Sequence, residues 1–130
     1  DHARKAVQEH VPEKHVEAGK LDRFVERLSY VQLDATEADG YRRLATEVGG
    51  DPGEIAIFLS TAPSLFKPTI DNLKAVGLAG DHVRMALEKP LGTDLASSRE
   101  INDAVAAAFP EERTFRIDHY LGKETVQNLL

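Results

Sequence analysis

The chain has 130 residues, of which 42% are hydrophobic and 29% are charged, and its formal net charge is −6. This composition is typical of a globular domain, and the acidic balance argues against binding to nucleic acid or to an anionic membrane, since both require a basic face. The absence of cysteine excludes disulfides and thiolate metal sites, and no apolar run approaches the roughly 20 residues that cross a bilayer.

The first 20 residues are polar and charged. His10 and His15 are five residues apart, whereas two metal ligands on one helix are three or four apart, so we interpret these histidines as exposed to solvent and predict no metal site. An amphipathic helix is predicted next, because apolar residues recur at helical spacing at Leu21, Phe24, Val25 and Leu28.

Strand-like and helical segments alternate through the rest of the chain. The strand candidates are residues 30–33, 55–59, 83–87 and 114–117, and the helical candidates between them are residues 41–48, 68–76 and 97–108. The continuous apolar run at 55–59 predicts a strand that is buried on both faces, as in a parallel sheet covered by helices. The alternation therefore predicts an α/β fold with a doubly wound, mostly parallel sheet.

Glycine and serine residues mark the predicted helix ends. Gly49-Gly50 and the segment 77–80 follow helices and are interpreted as C-terminal caps, because a phosphate-binding glycine loop lies between a strand and a helix. The run at 97–100 has the spacing of a capping box, which makes Ser97 the predicted N-cap of its helix.

Three segments that come just after predicted strands, at 61–63, 88–90 and 118–120, contain polar residues. Ligands of open parallel sheets bind beyond the carboxyl ends of the strands, so we expect these segments to share one edge. Lysine, histidine and tyrosine donors at such an edge suit phosphate and sugar oxygens. Composition alone leaves a charged, solvated loop as an equal alternative for the last segment.

Three runs of the sequence carry a resemblance to a known family. The run DHYLGKE at 118–124 resembles the active-site signature of the glucose-6-phosphate dehydrogenase family. EKPLG at 88–92, followed by Asp94-Leu95 and Ser97-Ser98, is similar to the family's Glu-Lys-Pro segment, and LSTAP at 59–63 resembles the end of the strand before its cofactor loop. They occur in the family's order, and the resemblance extends over roughly residues 28 to 130.

The resemblance implies a division of roles among the residues of the predicted edge. His119, Tyr120 and Lys123 would hold the phosphate and the neighbouring sugar oxygens of glucose 6-phosphate, with Lys89 between the sugar and the nicotinamide. Asp118 would orient a catalytic histidine, the base that removes the proton of the anomeric hydroxyl. No histidine follows His119, so we expect that base to lie outside these residues.

The implied cofactor is NADP, with NAD as the alternative. Cofactor-side candidates at the predicted edge are Thr61, Ala62, Pro63, Glu88 and Lys89. The resemblance also implies that the family's glycine fingerprint precedes residue 1. Residues 1–130 are therefore predicted to be a partial, Rossmann-like dinucleotide-binding domain, without the first glycine-rich βα unit and without the C-terminal β+α domain.

The function implied is that of an oxidoreductase at the first step of the pentose phosphate pathway. It would oxidise glucose 6-phosphate at C1 to 6-phosphogluconolactone with hydride transfer to NADP or NAD, in a cytoplasmic homo-oligomer, a location compatible with the lack of cysteine. Two alternatives stay open. One is another Rossmann sugar oxidoreductase with a Glu-Lys-Pro segment, and the other is a non-catalytic fragment that binds sugar phosphate.

Overall fold

The computed structural model describes residues 2–16, 19–49 and 53–119. The chain divides into two compact units, Asp1–Val31 and Gln32–Leu130. No helix within the described ranges has the length and apolar character that a bilayer crossing requires.

The first unit contains two helices, α1 (His2–His10) and α2 (Lys20–Val25), with a short 3-10 turn at Glu13–His15. A guanidinium nitrogen of Arg4 on α1 lies 2.6 Å from a carboxylate oxygen of Asp22 on α2. Helix α2 confirms the amphipathic helix predicted from Leu21, although it ends before Leu28. His10 and His15 are exposed, as predicted.

The second unit is a three-stranded parallel sheet with its crossover helices. Its elements are α3 (Ala38–Val48), β1 (Ile55–Leu59), α4 (Phe66–Ala75), β2 (Val83–Glu88), α5 (Leu95–Ala106) and β3 (Thr114–Ile117). The strand order is β1-β2-β3, and both neighbouring pairs are parallel. The predicted α/β class and parallel sheet are confirmed.

Residues 30–33 do not form the strand that was predicted there. A strand needs a neighbour that pairs with its backbone groups, and the strands in the described ranges pair only with one another. Leu33 instead packs against the core. It also approaches α3 so closely that a Cβ at Gly40 would lie 2.4 Å from the Cβ of Leu33, which is why this helical position is a glycine.

The core lies on one face of the sheet, beneath α4 and α5, which pack against each other. Met85 of the central strand is fully buried, as are Phe66 and Ile70 of α4. Strand β1 alternates instead of being buried on both faces as predicted: Leu59 is buried, whereas Phe58 is 53% exposed. Successive side chains of a strand point to opposite faces whatever their type. Because all five residues of β1 are apolar, its sequence does not show which of them face the core.

The N-cap of α5 is Asp94 and not the predicted Ser97. The backbone N–H of Ser97 donates to Oδ1 of Asp94 at 2.8 Å, and the backbone N–H of Asp94 donates to Oγ of Ser97 at 3.1 Å. Asp94 and Ser97 have the same three-residue spacing as Ser97 and Glu100, so the true box lies one turn earlier.

Gly49 and Gly77 end α3 and α4 with φ of 92° and 79°, as predicted, while Gly50 lies outside the described residues.

Candidate active site at the carboxyl edge of the sheet

The three parallel strands end at one edge of the sheet. Leu59 at the end of β1 is in register with Leu87 of β2, and Glu88 at the end of β2 is in register with Ile117 of β3. The residues that follow the strands therefore leave the sheet side by side. This edge is where ligands of open parallel sheets bind.

Lys89 and Asp118 face each other at this edge. The backbone N–H of Lys89 donates to the carbonyl of Ile117 at 3.1 Å, and this bond holds the first residue after β2 beside the end of β3. The Nζ atom of Lys89 lies 3.1 Å from Oδ2 of Asp118. The Lys89 side chain is 51% exposed, so its ammonium group can reach a ligand at the edge. The Lys89–Pro90 peptide bond is cis.

Glu88 lies between the ends of the two other strands. Its Oε2 accepts a hydrogen bond from Oγ of Ser60 at 2.9 Å, and its Oε1 lies 2.6 Å from Nε2 of His119. The hydrogen bond from Ser60, followed by that from His119, holds the pKa of the Glu88 carboxyl below its ordinary value. Glu88 is therefore ionised at neutral pH.

Thr61, Ala62 and Pro63 form the turn that leads from β1 to α4. Ala62 precedes a 3-10 turn at Pro63–Leu65, and its carbonyl accepts a hydrogen bond from the N–H of Leu65 at 2.9 Å. Thr61 and Ala62 are exposed. Thr61 also lines a cleft of about 530 Å³ at the carboxyl end of β1, with a mainly apolar wall that includes Leu33, Tyr41, Leu44, Ile57, Leu59 and Leu65.

The sequence-predicted site is thus only partly visible. Lys89, Asp118 and His119 lie together at the edge. Tyr120 and Lys123 lie outside the described residues, so their roles stay predictions. The cofactor-side roles of Thr61, Ala62, Pro63, Glu88 and Lys89 also stay predictions.

Ser60 is a member of the site that sequence reasoning did not single out. Its hydroxyl group links the end of β1 to Glu88 on β2. Its position is the signal from which it could have been predicted. Leu59 and Leu87 are in register in the parallel pair, so the residues that follow them, Ser60 and Glu88, lie side by side.

Comparison with known proteins decides the family. A family model described as "Glucose-6-phosphate dehydrogenase, NAD binding domain" matches residues 1–128. The chain belongs to this family. The resemblance carried by the three sequence runs is therefore confirmed, and the assignment favours it over the alternative Rossmann oxidoreductase with a Glu-Lys-Pro segment.

Two relatives of the glucose-6-phosphate dehydrogenase family illustrate the match. The chain is 51% identical over 130 residues to a glucose-6-phosphate 1-dehydrogenase of Zymomonas mobilis subsp. mobilis, covering 100% of this chain and 27% of that protein. It is 45% identical over 132 residues to one of Mycolicibacterium smegmatis, covering 98% of this chain and 27% of that protein. The chain thus spans 27% of the length of these relatives.

Solved structures agree with the fold of the family. A glucose-6-phosphate 1-dehydrogenase from Mycobacterium avium matches with a TM-score of 0.76 and 36% identity, covering 95% of this chain and 26% of that one. A glucose-6-phosphate dehydrogenase in complex with its substrate glucose-6-phosphate matches with a TM-score of 0.74 and 32% identity, covering 98% of this chain and 28% of that one.

Proposed function

We propose that the protein carrying this chain oxidises glucose 6-phosphate at C1 to 6-phosphogluconolactone, with NADP as hydride acceptor and NAD as the alternative. The observation that carries the proposal is the grouping of Lys89, Asp118 and His119 at the carboxyl edge of a parallel sheet. Support also comes from membership of the glucose-6-phosphate dehydrogenase NAD-binding domain family. One solved relative at 32% identity is a complex with glucose-6-phosphate.

The edge fits a nicotinamide dinucleotide. Such cofactors bind across the carboxyl ends of parallel strands, and here Thr61 and Ala62 are exposed beside a cleft of about 530 Å³. In our proposal the turn 61–63 and Lys89 contact the cofactor. When bound, the nicotinamide supplies an acceptor for the hydride that leaves C1 of the sugar.

The substrate side is proposed to be built from cations and hydrogen-bond donors. His119 has a side chain that is 64% exposed, and we assign it, with Tyr120 and Lys123, to the substrate phosphate, because charge-assisted donors bind phosphate oxygens most strongly. Lys89 is assigned to the sugar oxygens near the reacting carbon. An ammonium group there stabilises the negative charge that develops on oxygen as its proton leaves.

Asp118 is proposed to act through another residue. A carboxylate that accepts a hydrogen bond from a histidine fixes the tautomer of the ring and stabilises the imidazolium that forms on proton uptake. The histidine base itself is proposed to come from beyond residue 130. We further propose that the full-length protein works at the entry to the pentose phosphate pathway, in the cytoplasm, as a homo-oligomer.

The test is the rise in near-ultraviolet absorbance of reduced nicotinamide when glucose 6-phosphate is added to the full-length gene product. NADP and NAD are compared in parallel, and unphosphorylated glucose serves as the control substrate. We expect turnover with glucose 6-phosphate only. Reduction with unphosphorylated sugars but not with glucose 6-phosphate would reject the proposal. Residues 1–130 alone are expected to show no turnover, because we propose that the glycine loop and the base lie outside them.

A further inference from the structure

Three polar side chains form a hydrogen-bonded row across the carboxyl edge. Ser60 follows β1, Glu88 ends β2, and His119 lies two residues beyond β3. Glu88 is the shared partner, since Oγ of Ser60 lies 2.9 Å from one of its carboxylate oxygens and Nε2 of His119 lies 2.6 Å from the other. The row therefore links all three strands through side chains.

The ionised state of Glu88 determines which group is the donor in each hydrogen bond of this row. An ionised carboxylate has only acceptors, and the serine hydroxyl already donates to Oε2. The proton between Glu88 and His119 therefore belongs to Nε2 of the histidine. In a neutral imidazole, only one ring nitrogen carries a proton, so Nδ1 is then an acceptor.

The hydrogen bond to Glu88 decides which ring nitrogen of His119 is available. The Glu88 side chain is 27% exposed and the His119 side chain is 64% exposed. Because Nε2 is engaged by Glu88 and Nδ1 makes no hydrogen bond within the described residues, Nδ1 is the ring nitrogen that we assign to a ligand. A phosphate oxygen is a hydrogen-bond acceptor, so Nδ1 binds it only as an N–H donor, which requires the cationic ring with Nε2–H directed to Glu88 and Nδ1–H to the phosphate.

We propose that Glu88, held in place by Ser60, is a positioning residue that keeps Nε2 of His119 as the donor to its carboxylate and so orients the ring, and that the imidazolium form then presents Nδ1–H to the substrate phosphate. This inference rests on the proposed function, because it takes the phosphate of glucose 6-phosphate as the ligand of His119. It assigns Glu88 to the substrate side. The competing assignment is the cofactor-side role expected from the sequence.

Steady-state kinetics of the full-length protein separate the two assignments. Glu88→Gln keeps the size of the side chain, but the amide can donate as well as accept a hydrogen bond. Nε2 of His119 is then no longer kept as the donor of this hydrogen bond, and the ring is no longer held in one orientation. We expect the KM for glucose 6-phosphate to rise about 10-fold or more, as for other residues that orient a ligating histidine. The KM for the cofactor should stay within about twofold, a smaller change than one hydrogen bond makes. Ser60→Ala should change the sugar-phosphate KM in the same direction by a smaller factor.

Glu54→Gln is the matched control. Glu54 precedes β1, at the opposite edge of the sheet, and pairs with Arg84 and Arg113. It undergoes the same chemical change, and we expect both KM values to stay at the wild-type level. A Glu88→Gln variant with a raised cofactor KM and an unchanged sugar-phosphate KM would overturn the inference.

A spectroscopic readout tests the inference without turnover. The ring nitrogens of His119, labelled with ¹⁵N in the full-length protein, report the tautomer at a pH high enough to leave the ring neutral. We expect Nε2 to be protonated in the wild type and a mixture of tautomers in Glu88→Gln. A wild-type ring protonated at Nδ1 would overturn the inference, even if the variants failed to fold. Absence of turnover together with the expected tautomer would reject the proposed function and leave the tautomer assignment standing.

Discussion

The Nζ atom of Lys89 lies 3.1 Å from the Oδ2 atom of Asp118, across the ends of β2 and β3. The pair is reached by solvent, and exposed ion pairs contribute little to stability. Its position matters more than its strength, because it sets the one cation of the Glu-Lys-Pro run beside the aspartate that is proposed to orient the catalytic base. Each partner therefore limits where the other can point.

Asp118→Asn in the full-length protein tests the orienting role of this carboxylate. The amide keeps the shape but cannot stabilise an imidazolium, so we predict that kcat for glucose 6-phosphate falls about 100-fold or more. The KM for the cofactor should change little. Asp71→Asn is the control, since it removes the carboxylate of another exposed Lys–Asp pair, Lys67 to Asp71 at 2.7 Å. A wild-type kcat in Asp118→Asn would contradict the assigned role.

The proposed contact between the cofactor and the turn after β1 can be tested by introducing a negative charge into that turn. Ala62 is exposed beside the cleft at the end of β1, where we propose that the cofactor binds. Ala62→Asp would set a carboxylate against its phosphates, and the KM for NADP is predicted to rise about 10-fold or more. The KM for glucose 6-phosphate should change less.

Ala106→Asp is the matched control for this charge. Ala106 is an exposed residue at the end of α5. Helix α5 crosses back from the carboxyl end of β2 to the start of β3, so this position is at the opposite edge. We expect no change in either KM. Equal effects of the two substitutions would show that the turn 61–63 has no special relation to the cofactor.

Sequence reasoning found the elements that have strong local signals. Strands β1, β2 and β3 and helices α3, α4 and α5 were predicted from periodicity, caps and turns. It failed at residues 30–33, where no strand in the part of the chain that the structure describes pairs with the strand-like residues, because propensity says nothing about pairing. It failed at Phe58 as well, since an all-apolar run carries no information about which face is covered.

The edge of the site was predictable, but its hydrogen bonds were not. Parallel strands must end at one edge, so the nearness of Lys89 and Asp118 followed from the alternation of strands and helices. The partners of Glu88 depend on register and on side-chain orientation, which a single sequence does not contain. Ser60 was therefore not predicted as a site residue, although it lies in the run 59–63, one residue before the predicted cofactor turn.

Gly92 is predicted to be required for both stability and activity. Its φ is 101°, and a Cβ there would lie 2.6 Å from the backbone nitrogen of Ser98 and 2.9 Å from Oγ of Ser97. Gly92→Ala should therefore lower the free energy of unfolding by about 2–5 kcal/mol, from backbone strain and a steric clash together. Because the same loop begins at Lys89, kcat/KM should fall too. Thermal denaturation and steady-state kinetics of the full-length protein measure both effects.

Gly77→Ala separates the strain from the clash. Gly77 has a φ of 79°, but apart from its chain neighbours no heavy atom of the described residues lies within 4 Å of the position of an added Cβ. The expected loss is about 1–2 kcal/mol, with kcat/KM unchanged. If both variants lost the same stability, the contact of Gly92 with the start of α5 would not matter.

The first turn of α5 is predicted to loosen at acid pH. Hydrogen bonds from the backbone N–H and then the hydroxyl of Ser97 hold the pKa of Asp94 below its ordinary value. A carboxyl whose folded-state pKa is depressed stabilises the fold fully above its unfolded pKa of about 3.9, and this contribution is lost as the pH falls through the folded-state pKa. Protection of the Ser97 amide against hydrogen exchange, corrected for intrinsic rates, should therefore decrease in that window.

Two substitutions separate the charge of Asp94 from its capping role. Asp94→Asn keeps an acceptor that does not titrate, so protection of the Ser97 amide should hardly change with pH across this window. Asp94→Ala removes the acceptor, so protection should be low at every pH. Helix α4 serves as the internal reference, because its N-cap, Leu65, makes no side-chain capping bond and its first turn should show no matching pH step. An equal acid step in the wild type and in Asp94→Asn would mean that another group controls this helix end.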